Sequence, residues 1–207
     1  MLQTPSQTVG PFFAYSLTAK QYGYNYDSII TDSLVDDSIE GERILITGRI
    51  FDGQGNVIPD AVVELNQPDL RFNDLRFNDL QIDDTRDQEI VIQKSKIVNQ
   101  TLGFARIGTG TSADNSFTFT TVKPKSINGQ APFIGVIIMM RGSLHHLHTR
   151  LYFSDENEQN QQDILLNSIP ENRRNSLVAN KLQKNNQTAY EFNIRMQGEN
   201  ETVFLAV

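Results

Sequence analysis

All three histidines of this 207-residue chain, His145, His146 and His148, lie in one short stretch, SLHHLHTRLYF. Two imidazoles one residue apart could chelate a transition metal, because positions two apart on a strand share a face. The pair supplies only two ligands, however, and Arg150 follows on the same face as a permanent cation that opposes a bound metal. The pattern therefore favours histidines that pack or hydrogen-bond, and no metal ligand is assigned to this chain. Gly108-Thr109-Gly110-Thr111 is glycine-rich but lacks the lysine of a nucleotide loop and precedes a strand pattern, not a helix. The chain has no cysteine, which excludes a thiolate nucleophile, a disulfide framework and a zinc ribbon. No nucleophile elbow or paired-carboxylate motif is present, so no catalytic residue is assigned to the chain alone.

The elements that must position these residues read as strands. Alternation of apolar and polar residues recurs over 116–122, where Phe117 and Phe119 alternate with threonines, and over 190–197, where Tyr190, Phe192, Ile194 and Met196 share a face. Further strand patterns cover 43–51, 61–66, 133–140, 149–153, 177–182 and 202–206, and only 161–174 reads as helical. Asp52-Gly53-Gln54-Gly55-Asn56 and Lys184-Asn185-Asn186-Gln187 are turn sequences between strands. The expected class is mainly β, a sandwich with a short helical segment and long loops. One domain over 1–207 is expected, with an N-terminal arm over 1–42, a core over 43–207 and a variable insertion near 70–103. Within that insertion RFNDL occurs twice in tandem, at 71–75 and 76–80, ahead of the acidic run QIDDTRDQE, and it reads as a local duplication in a solvated loop.

Composition bounds the partners. A formal charge of -7 and a pI near 4.9 repel phosphate backbones and anionic lipids, so nucleic acid and membrane surfaces are not expected. The opening MLQTPSQTVGPFFAYSLTAK has no basic and apolar signal pattern, and the longest apolar block, near 136–140, is too short to span a bilayer. A cytoplasmic location is expected.

Three stretches carry a resemblance. TPSQTVGPFF at 4–13, FDGQGNVIPDAVVELNQPD at 51–69 and IRMQGENETVF at 194–204 resemble the α chains of the protocatechuate 3,4-dioxygenases, a family of intradiol ring-cleaving dioxygenases. TVKP at 121–124 and LHTRLYF at 147–153 fit in the same order, and the resemblance lapses only near 70–103. It implies a β-sandwich subunit that pairs with a β chain. That β chain holds a ferric ion through two tyrosines and two histidines. The reaction so implied opens protocatechuate between its hydroxyls with O2, giving 3-carboxy-cis,cis-muconate, in bacterial aromatic catabolism.

The same resemblance places Phe133 and Gly135 at the two histidine positions, and the chain has no tyrosine between Tyr26 and Tyr152. It therefore implies that Fe(III) is bound by the partner β chain and that this chain completes the pocket for the aromatic acid. The residues implied at that pocket are Thr8, Gly10, Pro11 and Arg141. Gly-Pro lets a rigid backbone approach a planar ring, and a guanidinium suits an aromatic carboxylate. Phe133, Phe12 and Asn66 depart from the family pattern of histidine, tyrosine and tryptophan, which marks the chain as divergent. A non-catalytic β-sandwich structural or binding module derived from the family stays open as the alternative.

Overall fold

A computed structural model of the chain describes residues 10, 13–25, 28, 30–70 and 102–206. The tandem RFNDL repeat and the acidic run lie outside the described residues. Among the described residues there are ten strands: β1 (Arg43–Gly48), β2 (Ile50–Phe51), β3 (Val62–Asn66), β4 (Phe104–Gly108), β5 (Phe117–Val122), β6 (Phe133–Met139), β7 (Leu147–Phe153), β8 (Val178–Lys184), β9 (Gln187–Glu191) and β10 (Ile194–Arg195). Eight of them form one sheet in the order β4-β3-β6-β7-β8-β9-β1-β5, while β10 and β2 pair separately. Strand β8 is the hinge of this sheet. Its first residues pair with β7 through Tyr152 and Val178, and its later ones pair with β9 from Asn180 to Lys184. The sheet thus folds into two layers, giving the expected sandwich.

Alternation explains the core. Ile134, Val136 and Ile138 of β6, Phe117 and Phe119 of β5, and Ile44 and Ile46 of β1 all point between the layers and are buried. Each such side chain contributes about 1.5–3 kcal/mol of burial free energy. The edge strands β4 and β5 are not left open. Residues 31–34 run between them: Arg106 N–H donates to Thr31 O at 2.8 Å, Thr120 N–H to Asp32 O at 3.0 Å and Leu34 N–H to Thr120 O at 2.9 Å. Leu34 enters the core at the same point. This arm satisfies backbone groups that would otherwise template aggregation.

The turns behave as their residues require. Asp52 N–H donates to Asn56 O at 2.9 Å across the Gly53–Gly55 turn, and Asn185 and Asn186 take φ values of 52° and 63° in the β8–β9 hairpin. Three expectations need correction. The helix expected over 161–174 is divided into α2 (Asn157–Asn160), α3 (Ile164–Ser168) and α4 (Glu171–Arg174), following the short α1 (Phe13–Leu17). Asp163 caps α3 and Pro170 precedes α4, so the chain restarts twice instead of continuing. The strand expected over 202–206 is an extended tail held to β7 by Leu205 N–H to His148 O at 2.8 Å. Strand β4 was not among the expected strands, although Ala105 and Ile107 turn inward while Phe104 and Arg106 turn outward along it. The short helices and the loop before β6 cover a second apolar cluster of Ala131, Phe133, Tyr152, Leu166, Ile169 and Leu177.

Candidate functional site

The candidate site is built on the outer face of β4-β3-β6-β7. Register fixes its rows. Gly135 lies opposite Arg150 on one side and Asn66 on the other, Asn66 lies opposite Phe104, and the next row holds His148, Ile137, Glu64 and Arg106. These residues share a face because side chains alternate along each strand, and their neighbours Ile134, Val136, Leu65 and Leu151 fill the core instead.

Arg106 and Glu64 form an ion pair of 2.5 Å, with Arg106 Nε donating to Glu64 Oε1 at 2.6 Å. Arg150 lies over Phe133, its guanidinium carbon 3.9 Å from the ring centroid, and donates to Gln130 Oε1 at 2.7 Å. Beyond Phe133, the Tyr152 hydroxyl donates to the fully buried Asp163 carboxylate at 3.1 Å. Burial, only partly offset by the hydrogen bond from Arg150, pushes the Tyr152 hydroxyl up to about 12. Burial also holds the His148 imidazole below its ordinary value, with the His146 charge acting in the same direction and Glu64 against it. The His146 and His148 rings meet edge to face with centroids 4.8 Å apart.

The fit of a ferric ion is tested by these groups. Phenylalanine and glycine offer no ligand, the Tyr152 hydroxyl is engaged with the buried Asp163 carboxylate, and a guanidinium occupies the space over Phe133. This set does not fit a ferric ion. Among the described residues no group of three or more His, Cys, Asp or Glu side chains is placed to hold a metal.

The residues implied for substrate are placed as follows. Thr8 and Pro11 lie outside the described residues. Gly10 takes φ +79°, a left-handed conformation that glycine adopts without strain, and an added Cβ there would meet no atom within 4 Å. Arg141 follows β6, is largely exposed, and pairs with Asp60 at 2.6 Å. Asp60 also pushes up the Tyr22 hydroxyl, although burial is the larger cause of that shift. No hydrogen bond or ion pair among the described residues joins Gly10 to Arg141. Sequence reasoning did not single out Asp60, Gln130 or the juxtaposition of Arg150 with Phe133. Asp60 carried a signal, as the acidic residue of PDAVVELN, but its partner is distant in sequence.

No family model matches the sequence. The chain is 44% identical over 207 residues to a protocatechuate 3,4-dioxygenase α chain of Burkholderia cepacia, covering 99% of this chain and 98% of that one. It is 35% identical over 209 residues to an α chain of the same name from Pseudomonas putida, covering 98% and 95%. Among solved structures, an intradiol ring-cleavage dioxygenase of Tetranychus urticae shares the fold with a TM-score of 0.57 at 17% identity, over 94% of each chain. The dioxygenase domain of a dioxygenase and carbohydrate-binding fusion from Streptomyces sp. SirexAA-E superposes with a TM-score of 0.56 at 21% identity, over 98% of this chain and all of that one. The shared fold agrees with the folded sheet, and the identity extends from end to end. The chain belongs to the family of protocatechuate 3,4-dioxygenase α chains, subunits of an intradiol ring-cleavage dioxygenase.

Proposed function

We propose that this chain is the iron-free half of a two-chain dioxygenase in the cytoplasm. It pairs with an iron-bearing protocatechuate 3,4-dioxygenase β chain and completes that chain's pocket for protocatechuate and O2. The Fe(III) belongs to the partner. Residues 1–207 act as one domain, the arm over 1–42 bringing Thr8, Gly10 and Pro11 to the pocket and Arg141 offering its guanidinium to the substrate carboxylate.

The observation that carries this reading is the Arg150 guanidinium over the ring of Phe133, the residue that stands where the family resemblance calls for a metal-binding histidine. A fixed positive charge there opposes a ferric ion, so oxidative chemistry requires another chain. Arg141 is already matched by Asp60, and a substrate carboxylate would share or displace that pairing. Co-expression with the β chain of a relative tests the proposal. A stable complex with iron and the visible absorption of tyrosinate bound to Fe(III) is expected, whereas two chains that never co-purify overturn it. In that complex Arg141→Ala is expected to raise KM about 10-fold or more with iron content unchanged, as loss of a charged hydrogen bond to a carboxylate predicts. Unaltered kinetics would remove Arg141 from the pocket.

A further inference from the structure

Where the short helices meet the start of β8, the structure forms a cavity of about 560 Å³. It is lined by Ser154 after β7, by Val178 and Asn180 of β8, and by side chains from α2, α3 and α4. Val178 and Asn180 share the outer face of β8 because the intervening Ala179 is fully buried. Of the ten lining residues only Leu166 and Val178 are aliphatic, six are primary amides and none is a carboxylate. Pockets for apolar ligands are lined mainly by hydrophobic and aromatic side chains, so this lining suits a ligand rich in hydroxyls.

The polar groups fall into two sets. Asn160 and Asn167 are held by the chain itself, Asn160 Nδ2 donating to Phe153 O at 2.8 Å and Asn167 Nδ2 to Gln161 O at 2.7 Å. The side-chain amides of Asn157, Gln161, Asn175 and Asn180 are exposed and make no hydrogen bond to the described residues, so each offers a donor and an acceptor. Arg174 supplies the charge. Its Nε donates to Ile169 O at 2.8 Å and its Nη2 to Asn167 O at 3.0 Å, which fixes the guanidinium at the end of α3. Among the described residues its Nη1 makes no hydrogen bond, and no carboxylate lies within ion-pair distance of it. The nearby acids are already engaged: Asp155 and Glu156 by Lys123 and Lys181, and the buried Asp163 by three donors. On a chain of net charge -7 this cavity therefore keeps an unmatched cation.

We propose that the cavity binds a small polyhydroxylated anion, a sugar acid or a sugar phosphate. The charged end meets the free edge of Arg174, and the hydroxyls exchange hydrogen bonds with the amides of Asn157, Asn175 and Asn180. A guanidinium held in advance by two carbonyls loses little freedom on binding an anion. None of these residues is among those named for the aromatic acid, so the test does not depend on assembly with a β chain.

The experiment titrates the full-length chain, by calorimetry, with glucuronate, glucose 6-phosphate, glucose and inorganic phosphate. Saturable binding of glucuronate or glucose 6-phosphate is expected, the stronger of the two naming the charged group, with glucose and inorganic phosphate each about 10-fold weaker or more. Arg174→Lys, which keeps the charge but loses the fork, is expected to weaken the preferred anion about 10-fold. Asn180→Ala removes an amide with no partner in the chain and is expected to weaken it about 5-fold while the thermal melt stays unchanged. The proposal is overturned if neither anion binds saturably, or if glucose or inorganic phosphate binds as tightly as the preferred anion. It is also overturned if both variants, folded, bind as the parent does.

Discussion

At the scale of single residues, the charge states on the outer face follow from burial. His148 has a folded-state pKa below its value in an unfolded chain, first because it is partly removed from solvent and second because His146 is beside it. A depressed pKa contributes stability that is fully present above the unfolded value of about 6.5 and is lost as pH falls through the folded value. An NMR titration is expected to give His148 a midpoint below 6.5, and His146→Gln should move that midpoint upward part of the way. A midpoint untouched by His146→Gln would leave burial as the sole cause. The spacing of His146 and His148 on a common face was legible in the sequence, because period-two geometry is local. Their edge-to-face contact and the exclusion of a third ligand were not, since both depend on which strands lie alongside β7.

At the scale of elements, Asp163 shows how one buried side chain fixes several segments. Its carboxylate accepts from Leu166 N–H at 2.8 Å to cap α3, from Ala131 N–H at 3.0 Å in the loop before β6, and from the Tyr152 hydroxyl on β7. Asp163→Ala leaves buried donors without partners and is expected to cost about 2–4 kcal/mol, measurable by urea unfolding. A cost below 1 kcal/mol would mean that the short helices are not anchored through this residue. Tyr152→Phe removes only one of the three bonds and is expected to cost less, about 1 kcal/mol. The apolar spacing over 161–174 gave a helical pattern, yet the same letters allowed either one helix or several. The choice was made by Asp163 turning inward to three partners, a contact between residues up to 32 positions apart. Strand β4 alternates in the ordinary way, with Ala105 and Ile107 buried and Arg106 outward, and its place in the sheet is set by register with β3, where Glu64 lies opposite Arg106.

At the scale of the molecule, the two layers are tied at one end by a charge network. Lys123 after β5 reaches Asp155 after β7 at 2.8 Å and Tyr190 of β9 at 2.8 Å, and Lys181 of β8 reaches Asp155 at 2.9 Å. The ammonium of Lys123 also lies 4.6 Å from the centroids of both the Phe153 and Tyr190 rings. Burial disfavours the charged Asp155, yet hydrogen bonds from Lys123, Lys181 and Tyr190 together hold its carboxyl well below the usual range. Its contribution to stability is therefore present above the unfolded value of about 3.9 and lost as pH falls through the lower folded value. Asp155→Asn is expected to cost about 1–2 kcal/mol at pH 7, allowing for solvent screening, or roughly 2–4 °C in Tm per kcal/mol. The gap between parent and variant should narrow below about pH 4; a gap independent of pH would show that charge is not the cause. The sequence by itself determined the β class, the turns and the family, because alternation, Asn-Gly chemistry and motif order are properties of neighbouring residues. Only the tertiary structure decided that β8 joins both layers, that residues 31–34 close the sheet edges, and that Arg150, Gly135 and Asn66 form one row. Those outcomes are set by strand order and register, which bring together residues that no local pattern connects.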